Sequence, residues 1–184
     1  TAQVTDLDGG SSDDTDYTAD TKFTFGQWRS STDTDYGKID LTIDKTIWDR
    51  EYVNGTGIDT YDSNSNTFLL TNTILKDKYD ITPGIEYEEF DGSFNNRGGY
   101  VASVDTGGEN IGYFVNGNMI VSDKLLVSAG IRQDDPSLFS DYTTYRLGGT
   151  YNLTDSLTLK SNYATSVKTP TLYEMHGSDN YGYN

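Results

Sequence analysis

Six aspartates, Asp6, Asp8, Asp13, Asp14, Asp16 and Asp20, crowd the first twenty residues of the chain, a stretch without Lys or Arg. Hard carboxylate oxygens at that density suit Ca2+, and like charges with no local counter-ion favour a divalent partner. The spacing is not that of an EF-hand, because Tyr17 stands twelfth from Asp6, where a bidentate glutamate would close the loop. Calcium held by Asp6, Asp8, Asp13, Asp14 and Asp16 is therefore one expectation, and a solvated acidic loop the other. Glu86, Glu88 and Glu89 bring three carboxylates close enough to suggest glycoside hydrolysis. Glu86 and Glu88, however, share one face of an extended chain, which makes a charged wall. His176 is the sole histidine and Cys is absent, so no thiolate or paired-histidine metal site exists, and His176 is expected to be a plain surface residue. No nucleophile, base and orienting group fall together. An enzyme is not expected, nor any cofactor beyond the calcium.

The elements that position these residues follow from patterning. Apolar residues are only 34% of the 184 and mean hydropathy is -0.64, yet the chain holds 15 Tyr and 19 Gly. Disordered chains are depleted in aromatics, so disorder fits poorly. The net charge of -16 argues against nucleic acid as a partner, since that affinity comes from Lys and Arg on phosphates. No apolar run is long enough for a transmembrane helix. Period-two alternation is clear instead: Leu157, Leu159, Ser161 and Tyr163 alternate with Thr158, Lys160, Asn162 and Ala164. Tyr145, Leu147, Gly149, Tyr151 and Leu153 alternate with Arg146, Gly148, Thr150 and Asn152, and Thr154 to Ser156 turn the chain between the two runs. Ile111, Tyr113, Val115, Met119 and Val121 form a face, a turn follows at 122–124, and Leu125, Val127, Ala129 and Ile131 resume it. Upstream, strands are expected near 22–29, along Ile39, Leu41, Ile43 and Ile47, at 66–75 and from Asp80 to Phe90, the last containing Pro83. Spacing does not decide which residues of the 22–29 and 66–75 strands lie on the apolar side.

That makes eight strands. Short connections (30–37, 76–79, 122–124, 154–156) alternate with long ones (50–65, 91–108, 134–141), and the segments 1–20 and 168–184 are open. With strands alternating in direction, all short turns fall at one end and all long loops at the other, as in an outer-membrane barrel. The fold class is therefore all-β: antiparallel transmembrane β-barrel strands, with Arg132, Arg146, Lys160 and Asn162 facing the lumen. A soluble antiparallel sandwich, such as a carbohydrate-binding one, also alternates apolar and polar residues. Tyr near strand ends and Asn, Thr, Lys and Arg at successive polar positions favour the membrane. Gly98-Gly99 and Gly107-Gly108 are expected in a mobile loop, and the sequons at Asn54 and Asn152 are chance matches.

The segment from Ser122 to Gly177 resembles the barrel of TonB-dependent outer-membrane receptors, especially the cobalamin and siderophore transporters. Gly130, Arg132, Asp134 and Phe139 match a strand ending Gly-x-Arg-x-Asp before a Phe-containing loop. Thr144, Tyr145 and Gly148 match the next strand, and Tyr163, Thr165, Lys168, Pro170, Leu172 and Gly177 fit a Tyr-x-Thr strand and its Lys-Ala-Pro-x-Leu-x-x-x-x-Gly continuation. Val167 stands where the family usually has an aromatic, and Thr169 replaces the common Ala. The resemblance implies a bacterial outer-membrane location and a 22-stranded barrel closed by a plug domain. It further implies active uptake of a scarce nutrient such as cobalamin or a ferric siderophore, with the TonB energy-coupling protein and outer-membrane lipid as partners. It also implies aspartate-bound calcium in extracellular loops. Eight strands cover part of such a barrel, so the chain is expected to be an internal fragment. The alternative is a self-contained eight-stranded barrel acting as an adhesin or structural protein.

Overall fold

The computed structural model describes residues 4–5, 17–54, 57–96 and 104–176. Pairing is strictly sequential and antiparallel. The two-residue β1 (Val4–Thr5) meets β2 (Tyr17–Thr34), followed by β3 (Gly37–Asn54), β4 (Gly57–Leu75), β5 (Tyr79–Asn96), β6 (Val104–Ser122), β7 (Leu125–Pro136), β8 (Tyr142–Thr154) and β9 (Leu157–Ala164). The eight expected strands are β2 to β9. They form one continuous sheet, ordered from β1 to β9, and among the described residues the two edges do not pair. This is neither the two-layered sandwich nor a closed eight-stranded barrel.

The strands outrun the expected lengths. Residues 30–37 shrink to a turn at Asp35 and Tyr36, because Ser30 to Thr34 pair with Gly37 to Leu41. Gly37 adopts a φ of 127°, a conformation open to glycine, and closes that turn. The expected loops 50–65 and 91–108 are largely strand: Arg50 pairs with Tyr61, and Phe94 with Val104. Gly107 and Gly108, expected in a mobile loop, pair with Asp91 and Phe90 inside β6. Residues 134–136 likewise extend β7. Backbone ladders need no apolar side chain, so beyond the reach of lipid a strand can continue with polar residues on both faces. Such an extension carries no alternating signal.

Apart from irregularities at 120–122 and 152–154, register sorts the side chains onto two faces. On one, Leu159 opposes Tyr151, Leu147 opposes Tyr163 and Ala129, and Ile131 opposes Tyr145 and Val115. The same face continues through Ile85 and Leu70 to Leu41, and through Phe68 and Ile43 to Trp28. Thus Trp28, Phe68 and Leu70 lie on the apolar face, which spacing had left undecided, while Phe23 and Phe25 lie on the other, opposite Trp48 and Thr46. Among the described residues nothing covers the apolar face: Ile131, Leu147 and Leu159 are 56%, 55% and 53% exposed. Among the described residues the buried apolar side chains are few, Ala19, Phe94 and Pro136. Pro83 sits within β5; pairing with β6 is unbroken there, while Asn72 and Thr73 on the β4 side go unpaired, as expected for a residue without an N–H.

The apolar face has a sharp upper boundary. Ile43, Phe68, Tyr87 and Ile111 oppose one another across β3 to β6, and one same-face step toward the long-connection end the row becomes Lys45, Asn66, Glu89 and Glu109. Tyr87 bridges the step by donating its hydroxyl to Glu109 Oε2 at 2.8 Å. Tyr79 lies at the other end of β5 on the same face. Eight residues separate Tyr79 from Tyr87, about 26 Å of strand, which projects to roughly 20 Å at a barrel tilt near 40°. That height is close to the ~25 Å apolar band of outer-membrane barrels.

Candidate functional site

On the polar face β5, β6 and β7 build one dense ionic cluster around Arg132. Arg132 and Asp134 lie two residues apart on β7 and so share a face. Arg132 Nε donates to both Asp134 carboxylate oxygens at 2.9 Å. Its Nη2 donates to Asp134 Oδ1 and to Glu86 Oε1 on β5, each at 2.7 Å. Asn110 on β6 donates its amide to Asp134 Oδ1 at 2.9 Å, and Asp134 is only 3% exposed. Two glycines make room. A Cβ on Gly112, opposite Asp134, would collide with the Arg132 guanidinium, and one on Gly84 would collide with Phe114. The Phe114 ring occupies that space, its centroid 5.8 Å from Arg132 Cζ, a distance suited to a cation–π contact.

One guanidinium shared by the carboxylates of Asp134 and Glu86, with Asn110 of β6 on Asp134, links three strands. Beside it lies a recess of about 330 Å³ lined in part by Glu86, Phe114, Asn116, Arg132, Thr144 and Arg146. Glu88 adds to the same wall, accepting from Ser65 at 3.0 Å. Arg146, Lys160 and Asn162 share the polar face with Arg132, since Thr144 opposes Arg132, Ala164 opposes Arg146, Thr150 opposes Lys160 and Gly148 opposes Asn162. Among the described residues neither Arg146 nor Lys160 forms an ion pair. Register thus joins Arg132, Glu86 and Asp134 but leaves Arg146 and Lys160 as separate cations. The partnership of Glu86 with Arg132 and of Asn110 with Asp134 was invisible in sequence, because it depends on how three strands align.

The segment after β9 is ordered by local hydrogen bonds. Thr165 continues the ladder, its N–H donating to the Tyr145 carbonyl at 2.9 Å while its hydroxyl accepts from the Tyr145 N–H at 2.9 Å. The expected open segment then forms a short helix, α1 (Leu172–His176). Thr171 and Glu174 cap it reciprocally: Glu174 Oε2 accepts from the Thr171 N–H at 2.8 Å, and Thr171 Oγ1 from the Glu174 N–H at 3.1 Å. This Thr-x-x-Glu capping box was readable in the sequence and would have placed the helix. Lys168 pairs with Glu174 at 3.3 Å, and Pro170 leads into the cap. The Thr171 amide and Lys168 together hold the Glu174 carboxyl below its ordinary pKa. Leu172 reaches back to β5, where it abuts Gly92. Asp6, Asp8, Asp13, Asp14, Asp16 and Gly177 lie outside the described residues, as does the His176 side chain. Among the described residues no group of three or more acidic, His or Cys side chains is arranged to hold a metal.

One exposed apolar face, one polar face and sequential antiparallel pairing are accompanied by a sequence match over residues 2–184 to the family described as TonB dependent receptor-like, beta-barrel. The chain belongs to that family. Among solved structures, this TonB-dependent receptor barrel chain is similar to the siderophore receptor PirA from Acinetobacter baumannii, with a TM-score of 0.69 and 17% identity over 87% of this chain and 27% of that one. It is also similar to the siderophore receptor PirA from Pseudomonas aeruginosa, at 0.66 and 16% over 85% and 28%. The copper transporter OprC scores 0.65 at 12% identity over 86% and 31%. At these identities the likeness is one of fold, and the chain spans less than a third of each structure's length. No curated protein matches the sequence.

Proposed function

We propose that this chain is part of the wall of a bacterial outer-membrane receptor that imports a scarce nutrient complex, such as a ferric siderophore or cobalamin. In this reading the apolar face meets lipid and the polar face lines the lumen. A plug domain elsewhere in the protein fills the lumen, and the TonB energy-coupling protein works through that plug. The observation that carries the reading is the single-step change from Ile43, Phe68, Tyr87 and Ile111 to Lys45, Asn66, Glu89 and Glu109, which marks the edge of an apolar band. The siderophore and copper cargoes named for the similar structures support a small metal-bearing ligand. Arg146 and Lys160, unpaired on the polar face, would meet the plug or the passing cargo. Calcium on Asp6, Asp8, Asp13, Asp14 and Asp16 would order the acidic segment on the extracellular side.

Two measurements test this. A strain lacking the full-length receptor should lose growth on one cargo from a panel of ferric siderophores and cobalamin under limitation, and loss of TonB should do the same. Growth unaffected on every cargo would remove the import reading. Calorimetry on the full receptor should show calcium uptake that Asp-to-Asn changes at positions 6, 8, 13, 14 and 16 abolish; equal uptake by both proteins would leave the solvated loop.

A further inference from the structure

We propose that the apolar face carries a groove for one glycerophospholipid of the periplasmic leaflet, with an acyl chain on Gly117 and Ala129 and the anionic phosphodiester at Lys78 and Lys124. This rests on the membrane placement of that face proposed above. Gly117 and Ala129 oppose each other directly, between the larger pairs Val115 with Ile131 and Met119 with Val127. Ile81 and Tyr79 wall the groove on the β5 side, and its volume is about 590 Å³. The floor resists filling from within, because a Cβ on Gly117 would lie 2.9 Å from the Asp80 carbonyl oxygen. The Asp80 carboxylate stays out of the groove, accepting from Asn118 at 2.8 and 3.0 Å on the polar face.

Charge at the lower end selects the occupant. Below Tyr79 the chain turns through Lys78, whose carbonyl accepts from the Ile120 N–H at 2.7 Å. The neighbouring turn holds Lys124, whose carbonyl accepts from the Asn152 N–H at 2.8 Å, so both turns are fixed beside the groove. The two turns carry Lys76, Lys78 and Lys124 against Asp77 and Asp123, a local excess of positive charge in a chain of net charge -16. Neither Lys78 nor Lys124 forms an ion pair among the described residues. Cations where an apolar surface ends suit a lipid phosphate, and Tyr79, next to Lys78, belongs at the headgroup level.

The test uses the full-length receptor in maltoside detergent and native mass spectrometry with added palmitoyl-oleoyl phosphatidylglycerol. One molecule should be retained. Ala129→Phe, which fills the groove, and the pair Lys78→Glu with Lys124→Glu should each weaken retention about tenfold. Leu159→Phe, on the same face but away from the groove, should leave it unchanged. Equal retention across all variants overturns the proposal, and so does loss on Ala129→Phe without loss on charge reversal, which marks a generic apolar surface. The charge-reversed pair leaves the wall intact and decides the matter if Ala129→Phe fails to fold. A spin label at position 131 separates the two readings. Low oxygen accessibility there would defeat the membrane placement itself, whereas high accessibility with unaltered lipid retention would defeat the groove alone.

Discussion

Arg132 illustrates how much a single side chain can hold when its surroundings are built for it. Removing it leaves the nearly buried Asp134 and Glu86 facing each other without a cation. Arg132→Ala should therefore lower stability by about 2–4 kcal/mol, since uncompensated buried charges cost more than a lost bond. Lys38→Ala removes only the 3.3 Å pair of a half-exposed lysine with Asp40, which solvent screens, and should cost far less. The temperature at which the full receptor loses heat-modifiable gel migration would report the difference; equal shifts would mean the Arg132 cluster holds no more than a surface pair. Glu174 gives a second expectation. Its carboxyl titrates below its unfolded value, so the cap is intact above the ordinary glutamate range and is lost as pH falls through the lowered folded pKa. NMR of the Thr171 amide should show that acid transition, and Glu174→Gln should abolish it.

At the level of the strand, the face assignment makes opposite predictions for neighbouring residues. Leu147→Arg places a charge in the apolar band and should cost about 2–4 kcal/mol, whereas Arg146→Leu, on the polar face, should cost far less. Urea unfolding of the full receptor in lipid measures both. Spin labels at Leu147, Tyr151, Leu157 and Leu159 should be accessible to oxygen, and labels at Arg146, Lys160 and Asn162 should not. The reverse pattern would place the register one residue away, because a one-residue slip exchanges the faces of a whole strand.

Among the described residues the sheet presents an uncovered apolar face and two unpaired edges. Expressed alone, residues 1–184 should not run as a water-soluble monomer, since open edges rich in β-formers template aggregation and the apolar face has no cover. Size-exclusion chromatography without detergent is the check, and a sharp monomer peak with cooperative unfolding would show that the sheet can hide its apolar face unaided.

How much of this was legible beforehand differed along the chain. Where one face is apolar, the sequence by itself determined strand and face, because apolar and polar positions must then alternate: Tyr145, Leu147, Tyr151, Leu159 and Tyr163 share one side of the sheet, as their spacing indicated. Beyond the band that enforcement ends, and tertiary structure decided the outcome. Arg50 to Asn54 and Gly57 to Tyr61 became strand through backbone pairing that leaves no side-chain pattern. The Arg132 cluster was decided the same way. Asp134 lies beside Arg132 in the chain, but Glu86 lies 46 residues away, and only the alignment of β5, β6 and β7, with glycines at 84 and 112, brings its carboxylate to the guanidinium. Periodicity fixes what a residue faces, whereas inter-strand register fixes what it touches.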